Sequence, residues 1–215
     1  YQGRYPSLAQ IEKWLHSRMN AVLGNSQAVC EDLMKEGVTT RQIGLIYNGL
    51  ELSPFSTSFS PTKFRQQLGI EQNCLVMSIV ANLIPYKGHS DLLKALASIK
   101  DSLSENWLTI CIGRDAGILS SLQREAAELG IEKNILWLGS RSDIPDLLRM
   151  SDIGILCSHE EGFSNAILEG MAANLPMHGG HATSPQCSGC APEKSPGRKL
   201  MTYTGQTWTK HSKPM

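Results

Sequence analysis

The sequence predicts an α/β fold: a doubly wound parallel sheet of Rossmann-like type, preceded by a remnant of a second domain. Three observations carry this. Runs such as Leu75–Ala81 and Leu108–Ile112 are apolar but for one hydroxyl residue each, Ser78 and Thr109, as strands covered on both faces allow. Segments with apolar residues at helical spacing alternate with those runs. A hydrophobic fraction of 41% supplies enough apolar surface for a real core.

The elements follow in order. Leu8, Ile11, Trp14, Leu15 and Met19 have helical spacing between Ser7 and Asn20. Residues 21–24 read as a short buried strand. Ser26 reads as the N-cap of a helix that ends at Gly37. Ile43–Tyr47 reads as another strand, closed by the turn pair Asn48-Gly49. Residues 51–61 hold two prolines and four serines with no apolar period, so a linker and domain boundary fall there. Beyond it, strands are expected at 75–81, 108–112, 135–138 and 153–157. Helices are expected over 89–103, 119–129, 144–150 and 165–173. The predicted organisation is thus a remnant domain at 1–50, a linker at 51–61 and a Rossmann-like domain at 62–177. In 178–215 the texture changes, with Leu200 the only Leu, Ile or Val. That segment is expected to be disordered or an out-of-frame tail.

Composition narrows function. Twenty basic residues balance twenty acidic ones, which removes the electrostatic footprint of a general nucleic-acid binder. No apolar run reaches the ~18 residues that a membrane-spanning helix needs. Cys30, Cys74, Cys111 and Cys157 sit singly in apolar or helical stretches, a usage that suits a reducing, cytoplasmic compartment. The opening Tyr1-Gln2-Gly3-Arg4, without an initiator Met, reads as the continuation of a longer chain.

Parallel α/β sheets bind ligands where the carboxyl ends of strands meet helix N-termini. Three loops lie at such places. In the first, Lys87 and Gly88 precede a helix, an arrangement that suits a phosphate but also fits an ordinary solvated lysine. The second, Gly113 to Gly117, admits a ligand or simply makes a tight turn. The third runs from Ser158 through Glu161-Gly162-Phe163-Ser164-Asn165 to Glu169. It offers two carboxylates for sugar or ribose hydroxyls, and the amides of Gly162 to Asn165 for a diphosphate. The competing reading is a capping acid followed by a solvated helical glutamate.

Taken together, Pro85-Tyr-Lys87-Gly88 and Glu161-Gly-Phe-Ser-Asn-Ala-Ile-Leu-Glu169-Gly-Met-Ala-Ala-Asn-Leu-Pro176 resemble glycosyltransferase family 4, the group 1 glycosyltransferases of GT-B fold. Leu138-Gly139 ahead of Asp143-Ile-Pro, and Asn48-Gly49 before the linker, sit where that family has them. The resemblance implies transfer of a sugar from a UDP- or GDP-linked donor to a glycan or lipid-linked acceptor, with retention and no metal cofactor. It implies that Lys87, beside Gly88, holds the donor diphosphate and that Glu161 contacts the transferred sugar. Gly162, Phe163, Ser164 and Asn165 would meet the phosphates, and Glu169 the ribose. Residues from Leu138 and Gly139 to Arg141, with Gly113, would line the nucleotide. The family places an arginine where this chain has Asn82. A cytoplasmic location at the inner face of a membrane also follows from the resemblance, as does weak activity for so short a chain.

Two other readings stay open. A sugar-nucleotide epimerase or a non-catalytic nucleotide-binding module could share these loops. In the tail, His178, His181, Cys187 and Cys190 form two x-x-spaced pairs, a ligand set that suits zinc. The five-residue gap between the pairs is short and little apolar sequence surrounds it.

Overall fold

The computed structural model describes residues 6–16, 18–103, 106–159, 161–179, 200–204 and 207–211. The chain forms two compact units. The first contains residues up to Gly49 together with the 161–165 segment, and the second contains residues 50–159, 166–179 and both strands beyond residue 199.

In the first unit, helix α1 (Pro6–His16) is followed by strand β1 (Val22–Gly24), helix α2 (Gln27–Lys35) and strand β2 (Ile43–Leu45). The two strands pair in parallel, Val22 opposite Ile43. Ser26 caps α2 as expected, its hydroxyl accepting from the Val29 amide at 3.2 Å. Ala28, Cys30 and Leu33 are the residues that the helix buries.

The second unit opens with helix α3 (Pro61–Gln67), which the periodicity did not reveal. Strands β3 (Leu75–Val80), β4 (Trp107–Ile112), β5 (Ile135–Gly139), β6 (Ile153–Leu156) and β7 (Met177–Gly179) form one sheet in the order β5-β4-β3-β6-β7. Every pairing in it is parallel. Helices α4 (His89–Ile99), α5 (Leu119–Glu128), α6 (Ile144–Met150) and α7 (Asn165–Ala172) alternate with the strands. Boundaries differ from expectation by a residue or two, except α4, which stops at Ile99 and passes into a 3-10 turn over Lys100–Ser102.

Strand alternation explains the layers. Met77, Ile79 and Cys111 face the side where Leu92, Leu93 and Leu96 of α4 and Leu122 and Ala126 of α5 pack. Val76, Ile110 and Ile112 face the other side, against Leu147 and Met150 of α6, with Phe64 of α3 at the margin. Both faces are covered, so the strands are apolar on both faces, with Ser78 and Thr109 the buried polar exceptions in β3 and β4. Each of these large side chains contributes about 1.5–3 kcal/mol by leaving water.

Two packing devices are polar or glycine-based. Arg65 on α3 is buried and donates to the Met150 carbonyl from Nε and Nη2, at 2.9 and 2.7 Å. It donates further to the carbonyls of Gln72 and Cys74 and to Asp152 Oδ2, at 3.2, 3.0 and 2.8 Å. Met177 lies between Gly154 on β6 and Gly170 on α7; a Cβ at either glycine would fall 2.2 Å from its sulfur.

Strand β7 extends two residues past Met177, where the sequence suggested no strand, and His178 and Gly179 on it are exposed. Strands β8 (Leu200–Thr204) and β9 (Thr207–His211), within the segment expected to be a disordered or out-of-frame tail, pair as an antiparallel hairpin. The tail's remaining residues, including His181, Cys187 and Cys190, lie outside the described residues. None of the described helices is long and apolar enough to cross a membrane.

Candidate functional site

In the second unit the chain winds from β3 outward through β4 to β5, then returns to β6 on the other side of β3. The winding reverses there, and the carboxyl ends of these strands form the crevice edge of such a sheet.

Lys87 ends a 3-10 turn, Pro85–Lys87, and Gly88 follows in the left-handed region at φ 73°. Its missing Cβ matters twice. A side chain would be strained at that φ, and its Cβ would lie 2.0 Å from the Cys157 carbonyl oxygen. The turn and the start of α4 are bound to the segment after β6 at three further points. Cys157 Sγ donates to the Lys87 carbonyl at 3.1 Å. The His159 amide donates to the Tyr86 carbonyl at 2.8 Å. The His159 ring meets the Asp91 carboxylate, with Nε2 to Oδ2 at 2.5 Å. Burial pushes the Cys157 thiol up to about 12, with Asp91 adding to the shift, so it stays protonated and donates. Lys87 itself is half-buried, its Nζ 5.2 Å from the Tyr86 ring centre.

His89, the first residue of α4, was not singled out from sequence. It is 2% exposed, and among the described residues neither ring nitrogen has a hydrogen-bond partner. Burial, reinforced by Lys87, lowers its pKa to about 4, so the ring is neutral at physiological pH.

The next two loops interlock. A Cβ at Gly113 would lie 2.0 Å from the Ala81 carbonyl oxygen, so only glycine lets β4 end this close to β3. Gly113 N–H also donates to the Gly139 carbonyl at 2.9 Å. Asn82 Oδ1 accepts from the Arg114 amide at 3.1 Å. Asp115 Oδ1 accepts from the amides of Gly117, Ile118 and Leu119 at 2.8, 2.9 and 3.1 Å, and these bonds hold its carboxyl below the usual range. Leu138 packs at the margin of the core beside α6, and Gly139 turns at φ 64°. Arg141 is held by Asp143 in a two-point pair, 2.8 Å from Nε and 2.5 Å from Nη2.

The 161–165 segment belongs to the first unit. Gly162 backs onto α2, where a Cβ would lie 3.0 Å from Val29 Cγ2 and 3.2 Å from Asn25 Oδ1. The Phe163 ring lies 5.8 Å from that of Tyr47. Asn48 Nδ2 donates to Asn165 Oδ1 at 2.8 Å, so the Asn48-Gly49 turn does more than end a strand. Glu161 and Ser164 are half-buried in the same segment. Glu169 lies in the second unit, just over a turn into α7. Burial raises its carboxyl pKa, and among the described residues its side chain has no hydrogen-bond partner. Of the sequence-predicted residues, Lys87, Gly88, Gly113, Leu138, Gly139, Arg141 and Glu169 therefore group in one unit, and Glu161 to Asn165 in the other.

Of the four possible zinc ligands only His178 is described, exposed on β7. Among the described residues no three His, Cys, Asp or Glu side chains are grouped to hold a metal ion.

Comparison with known proteins agrees with this fold. The family model described as glycosyl transferases group 1 matches residues 60–178. The Escherichia coli UDP-Gal:alpha-D-GlcNAc-diphosphoundecaprenol alpha-1,3-galactosyltransferase is 27% identical over 79% of this chain and 46% of its own length. The Bacillus anthracis N-acetyl-alpha-D-glucosaminyl L-malate synthase is 24% identical over 82% of this chain and 45% of its own. The chain thus spans less than half the length of these relatives. Anabaena HepE, solved in complex with UDP and glucose, superposes with a TM-score of 0.74 at 29% identity, over 81% of this chain and 48% of its own.

Proposed function

Because the chain belongs to the group 1 glycosyl transferases, we propose that it carries the donor-binding half of a retaining glycosyltransferase. Its donor is a UDP- or GDP-linked sugar and its acceptor a glycan or lipid-linked saccharide. The observation that carries this reading is Glu169. A half-buried carboxylate with a raised pKa and, among the described residues, no hydrogen-bond partner is costly unless a ligand supplies donors, and the paired hydroxyls of a ribose do so. That HepE is solved with UDP and glucose supports the choice of ligand class.

In this reading Lys87 meets the diphosphate and the amides of Gly162 to Asn165 meet the phosphate charge at the start of α7. Both act where negative charge grows as the glycosidic bond breaks, which is where fixed cations and dipoles accelerate reaction most. No metal cofactor is required by that scheme. Glu161 contacts the sugar being transferred, and the departing phosphate takes the acceptor proton on the same face, giving retention. Leu138, Gly139 and Gly113 border the nucleoside. The Escherichia coli relative's name specifies a diphosphoundecaprenol acceptor. An acceptor of that kind would bring the whole protein to the inner face of a membrane.

Thermal unfolding with UDP, GDP and their sugar conjugates tests the proposal. A ligand at a hundredfold excess over its Kd adds ~2.7 kcal/mol to the folded state. One nucleotide is expected to raise the Tm of the chain and to lose that effect in Glu169→Ala. A cooperative transition that no nucleotide moves would remove the donor-site reading.

A further inference from the structure

The mount of Arg114 is built more firmly than a surface arginine needs. Its amide donates to Asn82 Oδ1 at 3.1 Å and its carbonyl accepts from Leu83 at 2.9 Å. The residue before it, Gly113, is pressed against Ala81 with no room for a Cβ. The residue after it, Asp115, is tied to Leu83 by a β-bridge and commits its Oδ1 to three amides at the start of α5. The backbone of this loop is thereby fixed to residues 81–83, just beyond the end of β3. The guanidinium is the exception. It is exposed, and among the described residues it has no hydrogen-bond or ion-pair partner. The neighbouring carboxylate is engaged by backbone amides and does not neutralise it.

We infer that Arg114 is a second cation for the donor's diphosphate, presented from the end of β4, where its loop is tied to residues 81–83 ahead of the Lys87 turn. This rests on the donor-site reading above and adds a residue to it. A planar fork of donors matches phosphate oxygens at two points, whereas Lys87 offers a single mobile charge. Anchoring the loop on both sides reduces the ordering cost of binding, so the side chain alone must be immobilised. Asn82 acts here as a positioning residue: its amide oxygen holds the Arg114 backbone and leaves the guanidinium unencumbered.

The test is calorimetric titration of the full 215-residue chain and its Arg114→Gln and Arg114→Lys variants. UDP and uridine, and GDP and guanosine, are the probes. Loss of one charged hydrogen-bonding partner should weaken the bound diphosphate by about tenfold or more. Arg114→Gln is expected to show that loss for the diphosphate and none for the matching nucleoside, with Arg114→Lys intermediate. An unchanged urea midpoint for Arg114→Gln shows that the fold is kept. Unchanged diphosphate affinity in Arg114→Gln overturns the inference while leaving the donor site intact. Equal losses for diphosphate and nucleoside overturn it too, by placing Arg114 at the base. If the unaltered chain binds neither UDP nor GDP, the donor-site reading fails and this inference falls with it.

Discussion

Gly88→Ala offers a clean measure of how tightly the Lys87 turn is held. Two costs arise. The left-handed φ of 73° costs an L-residue about 1–2 kcal/mol. The added Cβ would also lie 2.0 Å from the Cys157 oxygen, well inside normal contact, so the turn must retreat from the end of β6. That retreat lengthens the Cys157 Sγ to Lys87 bond of 3.1 Å and the His159 to Tyr86 bond of 2.8 Å. Weakening the two adds about 1–2 kcal/mol. The expected loss is about 3 kcal/mol in all, together with displaced lysine and weaker nucleotide binding. Gly69→Ala separates the parts: its φ is 70°, nearly that of Gly88, but nothing lies within 4 Å of a Cβ there. Urea unfolding of both variants, at equal m-values, gives the steric component by difference. Losses agreeing within about half a kcal/mol, near the resolution of such comparisons, would refute the interlock.

Two further predictions concern buried polar groups. Arg65→Met keeps the stem but strands the buried Met150 and Cys74 carbonyls, and is expected to cost about 3–5 kcal/mol by urea unfolding. Because the Asp152 side chain is 43% exposed, a double-mutant cycle with Asp152→Asn should assign only about 1 kcal/mol or less to the ion pair; a larger coupling would contradict this. For His89 the folded pKa of about 4 lies below the unfolded value of 6.5. The unfolded chain therefore binds the extra proton first as pH falls, and stability present above pH 6.5 is lost towards pH 4. Between pH 7 and pH 5 the unaltered protein should lose about 2 kcal/mol more than His89→Leu. Equal losses would show that the ring is protonated or solvated in the folded state.

The sheet was legible because burial on both faces leaves strands such as Leu75–Val80 mainly apolar and without polar alternation, Ser78 being the one exception there. Helix α3 was not legible for a related reason: the residue that it buries most deeply is Arg65, and a period sought in apolar residues passes over a charge. Its neighbours 51–60 read as linker, and Pro61, which read as the last linker residue, is in fact the first turn of the helix. Strand β7 escaped notice because an edge strand three residues long, with His178 and Gly179 exposed, carries one apolar residue. In the candidate site, the motif positions were found by pattern, but their supports were not. Cys157 looked like a small core residue, yet it donates to the lysine carbonyl. Asn82 looked like a lost cation, yet it holds the backbone of Arg114. Such roles depend on which loops become neighbours, and topology decides that.

Met177 and its two glycines bear on how this sequence can vary. Positions 154, 170 and 177 lie on three different elements but share one small volume, so none can change alone at low cost. A methyl group at Gly154 or Gly170 must displace the same thioether, which is itself buried at 5% exposure. Shortening Met177 should make room for alanine at one glycine and leave a void if neither changes. Gly154→Ala and Met177→Val are therefore expected to compensate, each less harmful with the other than alone, and strict additivity would disprove the shared volume. Change at these three sites is then concerted, with Gly170 of this chain held less by any ligand than by the sulfur atom behind it.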